Sequence, residues 1–300
     1  MGVKTKVKVA LTTQGNDYND ANRMSHSAKL FQLEYINTRT HLKHMKFYKY
    51  QATGNDFVMI DNRTLWFDDK NTSLVAKLCD RRFGVGADGL ILLQNHADYD
   101  FEMVYYNADG NQSTMCGNGG RSIAQFAYDL GVIGESATFI AIDGPHDVAI
   151  ETDRVKLKMI DTELPFTAGK DFFLDTGSPH HVRFVEDVST YDVVKEGANV
   201  RYSSLYKNEG GTNVNFVSEI DEHTIQVRTY ERGVEDETFS CGTGVTACAI
   251  VASLDKYTSP INIITKGGKL SVSFEEKEEA YENVWLCGPA CQVFVGEIND

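Results

Sequence analysis

The stretch that decides the fold occurs twice, as CGNGGRSIA at residues 116–124 and as CGTGVTACA at residues 241–249. Both copies follow the pattern Cys-Gly-x-Gly-x-x-x-x-Ala. Each comes after strand-like sequence and opens the principal helix of its half, and in the first copy apolar residues recur at helical spacing from Ile123 to Leu130. The repeat predicts an internal duplication, with two like domains facing one another. The alternative is two unrelated helix starts that both use glycine for a tight turn.

Outside these helices short strand signals dominate, for example GLILLQ at residues 89–94 and TIQVRTYE at residues 224–231. A weaker helical signal, LVAKLCDRRFG at residues 74–84, is predicted to end at Gly84. The pattern indicates an α+β protein that is mostly strand, with one well-marked helix in each half.

The charge balance argues against several classes of partner. The 300 residues carry 29 Lys and Arg against 43 Asp and Glu, a net charge of −14, which repels phosphate backbones and anionic lipid surfaces. No apolar run approaches the roughly 18 residues that a membrane-spanning helix needs, and the N-terminus lacks the compact apolar stretch of a secretory signal. We therefore expect a cytoplasmic protein that binds neither nucleic acid nor membranes.

The six cysteines are expected to be free thiols, because so few in a chain of this length do not form a disulfide framework. Cys79 and Cys248 fall inside predicted helices and are interpreted as small buried apolar side chains. Cys287 and Cys291 could form half of a zinc site, but no second pair is evident, so no metal is expected.

Residues 1–44 are polar and show no clear periodicity, so little fixed structure is expected there. Order is predicted to begin at Met45, where apolar and polar residues alternate until a turn near Gly54. We interpret the segment as a disordered extension or as a start assigned upstream of Met45. A transit peptide is the alternative.

The two cysteine motifs favour proton transfer at a carbon next to a carboxylate. A helix N-terminus leaves backbone N–H groups unpaired and carries the positive end of the helix dipole, so it is expected to lower the pKa of a nearby thiol and to bind a carboxylate. If two such ends face each other, one sulfur lies on each face of the α-carbon. One cysteine as thiolate removes the α-proton, and the other as thiol delivers a proton to the opposite face. The arrangement therefore predicts an enzyme that inverts a stereocentre.

From Met45 onwards the chain resembles the diaminopimelate epimerases. Ten blocks in the family's order carry this resemblance and span nearly all of the core. They are GNDF (54–57), DRRFGVGADGL (80–90), NADG (107–110), MCGNGGR (115–121), SPH (178–180), TNVNF (212–216), YERG (230–233), SCGTG (240–244), GGKL (267–270) and GPA (288–290).

The resemblance implies a role for each matching residue. Cys116 and Cys241 would be the two acid/base thiols. The reacting α-carboxylate and amino group would be held at the helix ends by Gly117, Asn118, Gly242 and Thr243. The distal amine and carboxylate of the substrate would be held by Asn55, Asn107, Asn213, Glu231 and Arg232. These residue types suit the task, because an arginine can bind a carboxylate with two hydrogen bonds and a glutamate can pair with an ammonium.

The resemblance also implies the architecture: two pseudo-symmetric domains, each a curved, mostly antiparallel, barrel-like sheet around a central helix. The first domain would span residues 45–160 and include a returning strand at 289–300; the second would span residues 161–288. The expected activity is conversion of LL-2,6-diaminopimelate, a small amino acid, to the meso isomer in lysine and peptidoglycan precursor biosynthesis. No cofactor or metal is expected, and the expected assembly is a homodimer.

Two positions depart from the family pattern. Ser178 replaces the usual asparagine before Pro-His, which puts one contact to the distal end of the substrate in doubt. Cys287 replaces the usual threonine before the final Gly-Pro, where packing or dimer contact is the expected role. His180 is retained, and we expect it to order the site.

Two other functions are compatible with parts of the pattern. Proline racemases and hydroxyproline epimerases also use two cysteines in glycine-rich turns, but they favour histidine where this chain has Asn118, and they lack the YERG block. A thiol redox or binding protein on the same fold is the non-enzymatic alternative.

Overall fold

A computed structural model describes residues 6–10 and 45–299, which form one continuous 19-stranded sheet system and four α-helices. The strands are β1 (Lys6–Ala10), β2 (Met45–Ala52), β3 (Asn55–Asp61), β4 (Gly89–Gln94), β5 (Phe101–Asn107), β6 (Ser136–Ala141), β7 (Gly144–Ile150), β8 (Val155–Lys158), β9 (Thr162–Glu163), β10 (Phe166–Ala168), β11 (Asp171–Asp175), β12 (Pro179–Phe184), β13 (Asn213–Asp221), β14 (Thr224–Glu231), β15 (Asp236–Thr238), β16 (Ile261–Thr265), β17 (Gly268–Glu276), β18 (Ala280–Gly288) and β19 (Cys291–Asn299). The helices are α1 (Thr72–Cys79), α2 (Gly117–Asp129), α3 (Val193–Arg201) and α4 (Gly242–Ser253), with short 3-10 turns at Val188–Thr190 and Lys207–Glu209.

The two halves repeat one order of strand pairing. In the first half β2–β3 is antiparallel, β3–β4 parallel, β4–β5 antiparallel, β5–β6 parallel, and β6–β7 and β7–β8 antiparallel. The same series runs through β11, β12, β13, β14, β16, β17 and β18. The topology therefore carries the internal duplication that the two cysteine motifs predict, in an α+β fold dominated by strands.

The helices occupy matching places in the two halves. Helix α2 joins β5 to β6, and α4 joins β14 to β16, each as the crossover of a parallel pair. Ten of the twelve residues of α4 are buried, because the surrounding strands enclose a helix that is apolar on all sides. Each sheet thus wraps around its own principal helix, which places both helix N-termini at the centre of the molecule.

The prediction of one well-marked helix per half, with a weaker helix at residues 74–84, misses α3. Helices α1 and α3 occupy matching places, α1 between β3 and β4 and α3 between β12 and β13. Helix α3 is capped by the Asp192 side chain, which accepts a hydrogen bond from the Lys195 backbone N–H. Gly197 lies in the middle of this helix, where a Cβ would come within 2.3 Å of the Tyr230 Cβ. The sequence signal is weak because close packing on β14 requires glycine, which disfavours a helix interior.

Helix α1 ends at Cys79, not at Gly84 as predicted. The Asp80 carboxylate accepts hydrogen bonds from the backbone N–H groups of Arg82 at 2.7 Å and Phe83 at 2.6 Å, which turns the chain out of the helix. Gly84 then packs against the helix end, where a Cβ would stand 2.0 Å from the Lys77 carbonyl oxygen.

The halves are joined edge to edge. Strand β18 pairs antiparallel with β8 as well as with β17, and β19 pairs antiparallel with β2. The proposed division into residues 45–160 with 289–300 and residues 161–288 stays a prediction.

The expectation of little fixed structure over residues 1–44 is wrong for Lys6–Ala10, which forms β1 and pairs in parallel with β19. The sequence KVKVA alternates with the period of a strand, and β19 offers its free edge for pairing. The remainder of that prediction lies outside the described residues.

Candidate active site

One cavity of about 1010 Å³ lies between the two halves, and its floor is formed where α2 and α4 begin. Every site residue predicted from the sequence lines it: Asn55, Asn107, Cys116, Gly117, Asn118, Asn213, Glu231, Arg232, Cys241, Gly242 and Thr243. The structure therefore brings together residues that are dispersed over nearly 190 positions of sequence, roughly two thirds of the chain.

The two cysteines occupy the same position on their helices. Cys116 is the N-cap of α2, where its sulfur accepts a hydrogen bond from the Gly119 backbone N–H at 3.2 Å. Cys241 is the N-cap of α4, with its sulfur 3.5 Å from the Thr243 hydroxyl oxygen. Each thiol thus sits among the unpaired N–H groups that begin its helix.

The two helix ends touch at glycines. A Cβ on Gly242 would stand 3.2 Å from the Gly117 Cα, and one on either residue would stand 3.0 Å from the Leu286 Cδ2. No side chain larger than hydrogen fits there without displacement of its neighbours. Gly117 and Gly242 are therefore required by the close approach of the two helix ends.

Burial controls the ionisation of both thiols. Burial raises the pKa of Cys116 to about 11, although the hydrogen bond from the Gly119 N–H acts in the opposite direction and lowers it. It raises the pKa of Cys241 to about 12, with a further upward contribution from the charge of Glu231. The expectation that the helix ends leave the thiols with a lowered pKa is wrong for the unliganded site, since loss of solvation outweighs the helix N-terminus.

Glu231 and Arg232 follow one another at the end of β14 with different environments. Burial raises the pKa of the Glu231 carboxyl, and the Glu231 charge in turn raises the pKa of both thiols. Arg232 is exposed to the cavity, and its backbone N–H donates to the Asn213 Oδ1 at 2.8 Å. The pair offers one anionic and one cationic group to a ligand.

His180 lies behind the cavity, fully buried, in a network that reaches Cys241. Its Nδ1 accepts from the Asn215 Nδ2 at 3.1 Å, so a neutral ring carries its proton on Nε2, which lies 2.9 Å from the Thr243 Oγ1. Burial and the charge of Arg232 lower the pKa of His180 to about 3. The imidazole is therefore neutral and orients the Thr243 hydroxyl beside the Cys241 sulfur.

Three of the asparagines that are predicted to bind substrate already donate hydrogen bonds to other groups of the protein. The Asn55 Nδ2 donates to the Asp88 carboxylate at 2.5 Å, and the Asn118 Nδ2 donates to the Ser240 carbonyl at 3.1 Å. The Asn213 Nδ2 donates to the Pro179 carbonyl at 3.1 Å. These side chains are consequently held in fixed orientations.

Ser178, which departs from the family pattern, directs its hydroxyl oxygen inward. The oxygen lies 3.0 Å from the His180 Nε2 and 3.2 Å from the Thr243 Oγ1. The serine thus belongs to the network around Cys241 and also lines the cavity.

Sequence reasoning missed four polar residues that support the site: the buried Thr53, Arg121 and Asn215, and the half-buried Asp88. Arg121 and Asn215 belong to the blocks MCGNGGR and TNVNF, but no sequence signal distinguishes a buried polar residue from a surface one. Cys79 and Cys248 are buried as predicted.

No group of three or more His, Cys, Asp or Glu residues within residues 6–10 and 45–299 is arranged to hold a metal ion. In the same part of the chain, no helix has the length and apolar character needed to cross a membrane.

Solved structures with the same fold come from a class of proteins that includes amino-acid epimerases. A Bacillus anthracis phenazine biosynthesis protein of the PhzF family superposes with a TM-score of 0.67 at 14% identity, covering 86% of this chain and all of the other. A hydroxyproline epimerase from Agrobacterium vitis, with bound trans-4-hydroxy-L-proline, gives a TM-score of 0.60 at 11% identity and covers 86% and 93% of the two chains. At these identities the likeness shows the fold alone.

The sequence relationships are much closer. The diaminopimelate epimerase family model matches residues 47–162 and 172–292. A diaminopimelate epimerase of Flavobacterium psychrophilum is 54% identical over 253 residues, which is 83% of this chain and 98% of the relative. The chain belongs to the diaminopimelate epimerase family of isomerases.

Proposed function

We propose that this protein converts LL-2,6-diaminopimelate to the meso isomer by proton transfer between two cysteines, without a cofactor. The observation that carries the proposal is the placement of Cys116 and Cys241 at two abutting helix N-termini, on the floor of one cavity. Family membership supports the substrate, and the geometry supports the mechanism.

The substrate's reacting carboxylate suits the N-termini of α2 and α4. The first N–H groups of each helix have no partner within the helix and can donate to its oxygens. Gly117 and Gly242 carry no side chain there, so a ligand can approach the backbone N–H groups closely. As charge builds on the carboxylate after deprotonation, each such donor contributes about 3–4 kcal/mol to the barrier reduction.

The reaction needs one thiolate and one thiol. The thiolate takes the α-proton, so the C–H bond breaks, an S–H bond forms and the electron pair delocalises into the carboxylate. The opposite thiol then donates its proton to the other face of the carbon and becomes the thiolate. The two cysteines exchange protonation states in each turnover, which allows the reaction to run in both directions.

Burial raises the pKa of both sulfurs in the unliganded site, so we infer that ligand binding produces the thiolate, with the thiol proton released to solvent. The substrate's α-ammonium brings a positive charge beside the sulfurs, and a nearby cation favours an ionised thiol. Closure of the cavity over the substrate would exclude water and strengthen this attraction.

The distal end of the substrate carries a second ammonium and carboxylate. We propose that Arg232 binds this carboxylate and Glu231 the ammonium, with Asn55, Asn107 and Asn213 completing the contacts. Two charged groups suit diaminopimelate better than proline or hydroxyproline, whose ring offers no second charged end.

We further infer that the protein acts in the cytoplasm, as a homodimer, in lysine and peptidoglycan precursor biosynthesis. The net charge of −14 and the free cysteines support the compartment, and the family resemblance supports the pathway and assembly. Light scattering coupled to size-exclusion chromatography would test the dimer, whose mass would be twice that of the 33.5 kDa chain.

The test is proton NMR of LL-diaminopimelate in D2O with reduced protein. We expect loss of the α-proton signal together with the appearance of the meso isomer. Cys116→Ala and Cys241→Ala should each lower full turnover by about 10²–10⁴-fold. Exchange of the α-proton of proline or trans-4-hydroxyproline, but not of diaminopimelate, would overturn the assignment of diaminopimelate as the substrate. Full turnover in either variant would overturn the two-thiol mechanism.

A further inference from the structure

Arg121 of helix α2 is a fully buried cation. Its side chain has no exposed surface and is the largest of the fully buried side chains. Among residues 6–10 and 45–299 its guanidinium makes no ion pair, and its Nε has no hydrogen-bond partner. Burial of an unpaired charge costs folding free energy, so a residue of this kind calls for a functional explanation.

The guanidinium lies under the start of α2. One nitrogen donates to the Gly117 carbonyl at 3.2 Å, and another donates to the Asn118 Oδ1 at 2.9 Å and the Thr53 Oγ1 at 3.3 Å. Arg121 does not line the cavity. It acts through the residues that do.

Its hydrogen bond fixes which way the Asn118 amide faces. A guanidinium only donates, so the amide oxygen of Asn118 must face Arg121. The Asn118 Nδ2 is then directed to the Ser240 carbonyl, 3.1 Å away in the other half, one residue before Cys241. Arg121 therefore holds the bridge that aligns the two cysteine-bearing loops.

The same cation acts on the sulfur of its own helix. The positive charge of Arg121 favours the ionised form of Cys116, which lowers the pKa of Cys116 against the larger effect of burial. Burial lowers the pKa of Arg121 to about 10, while Cys116 raises it. Arg121 thus favours the ionised form of the first thiol.

We propose that Arg121 is a positioning residue of the epimerase: it locks Asn118 into the bridge to Ser240 and stabilises the Cys116 thiolate by charge. This role rests on the proposed two-thiol function. Its two parts separate experimentally, because lysine keeps the charge and loses the planar set of donors, whereas glutamine loses the charge.

The test compares Arg121→Gln and Arg121→Lys with Arg154→Gln. Arg154 is the matched control, because its Nη2 donates to the Cys287 carbonyl at 3.4 Å, and among the described residues it makes no hydrogen bond to Asn118, Cys116 or Cys241. Its charge acts on Arg121 only at a distance. Two quantities are measured: turnover of diaminopimelate, as kcat and KM, and the rate of Cys116 alkylation by iodoacetamide against pH, from peptide mass spectra of unliganded protein.

Arg121→Gln should raise the pH at which Cys116 reacts, because a charge that favours the thiolate is removed. It should also lower kcat by about 10²-fold with little change in KM. Arg121→Lys should keep the alkylation profile and still lower kcat. Arg154→Gln should match the wild type in kcat and in the pH profile of Cys116 alkylation. If the glutamine variant does not fold, the lysine variant decides, since wild-type kcat there would overturn the positioning role.

An unchanged Cys116 profile in Arg121→Gln would overturn the charge role, and equal kcat losses in Arg121→Gln and Arg154→Gln would overturn the positioning role. The alkylation measurement needs no substrate. A protein that never turns over diaminopimelate but shows the shifted profile would contradict the proposed function and leave the electrostatic role of Arg121 standing.

Discussion

Gly117 and Gly242 meet where α2 and α4 begin, so closely that a Cβ on Gly242 would stand 3.2 Å from the Gly117 Cα. Gly242→Ala should therefore push the helix ends apart and misplace both sulfurs. The neighbours would have to move by a few tenths of an ångström. We therefore expect kcat to fall by up to about tenfold, because the reacting groups must stay aligned. Steady-state turnover of diaminopimelate checks this.

Gly134→Ala is the control for that substitution, since a Cβ at Gly134 meets no atom within 4 Å. It should leave kcat unchanged. A Gly242→Ala enzyme with wild-type kcat would show that the contact between the helix ends is dispensable.

Thiol reactivity should follow the raised pKa values of the unliganded site. Because burial raises the pKa of Cys116 to about 11, its thiolate fraction at neutral pH is lower than that of an ordinary thiol. Alkylation of Cys116 should keep rising with pH beyond 9 before it levels off. Iodoacetamide labelling followed by peptide mass spectrometry gives the profile, with exposed Cys291 as the accessible reference in the same digest. A plateau below pH 8 would contradict burial as the controlling effect.

Glu231→Gln should make both thiols more reactive. The Glu231 charge raises the pKa of Cys116 and of Cys241, so its removal lowers both. At a fixed pH of about 8 we expect alkylation to be about threefold to tenfold faster, which corresponds to roughly half to one pKa unit. Glu163→Gln, at an exposed acid on β9, should change nothing. Slower alkylation in Glu231→Gln would reverse the inferred sign.

Thr229→Val tests the network behind Cys241. The Thr229 hydroxyl donates to the Asn215 Oδ1 at 2.9 Å, and its removal leaves a buried acceptor without a partner. The free energy of unfolding should fall by about 1–3 kcal/mol, as measured by urea denaturation. Thr167→Val, at an exposed position of β10, serves as the comparison. Equal stability of the two variants would mean that water replaces the lost donor.

Gly267→Ala tests the packing of the two halves against each other. A Cβ at Gly267 would stand 1.7 Å from the carbonyl oxygen of Thr53, in the turn between β2 and β3. Backbone cannot yield that far without cost, so we expect destabilisation of about 1–3 kcal/mol. Thermal unfolding measures it, and an unchanged melting temperature would contradict the packing argument.

The sequence predicts the residues of the site more completely than it predicts the buried residues around them. Cys116 and Cys241 are recognisable because helix capping is local and the motif repeats. The helix dipole, which is local, predicts a lowered pKa for these thiols, whereas burial, which comes from strands distant in sequence, raises it.

The missed helix α3 and the missed role of Arg121 have the same cause. Gly197 weakens the helical signal because Tyr230, 33 positions later, requires close packing. An arginine in a sequence looks like a surface residue until the chain folds over it. Interactions within a few residues are readable from sequence, and those made across the sheets are not.

The pairing of β2 with β19 has a consequence for how the chain is made. Strand β2 lies near the start of the ordered core, and its partner β19 is translated after every other described strand. During synthesis, the edge of β2 that pairs with β19 therefore stays unpaired while more than 100 further residues are added. The sheet of the first half is therefore complete only after translation has reached β19, the strand that pairs with both β1 and β2.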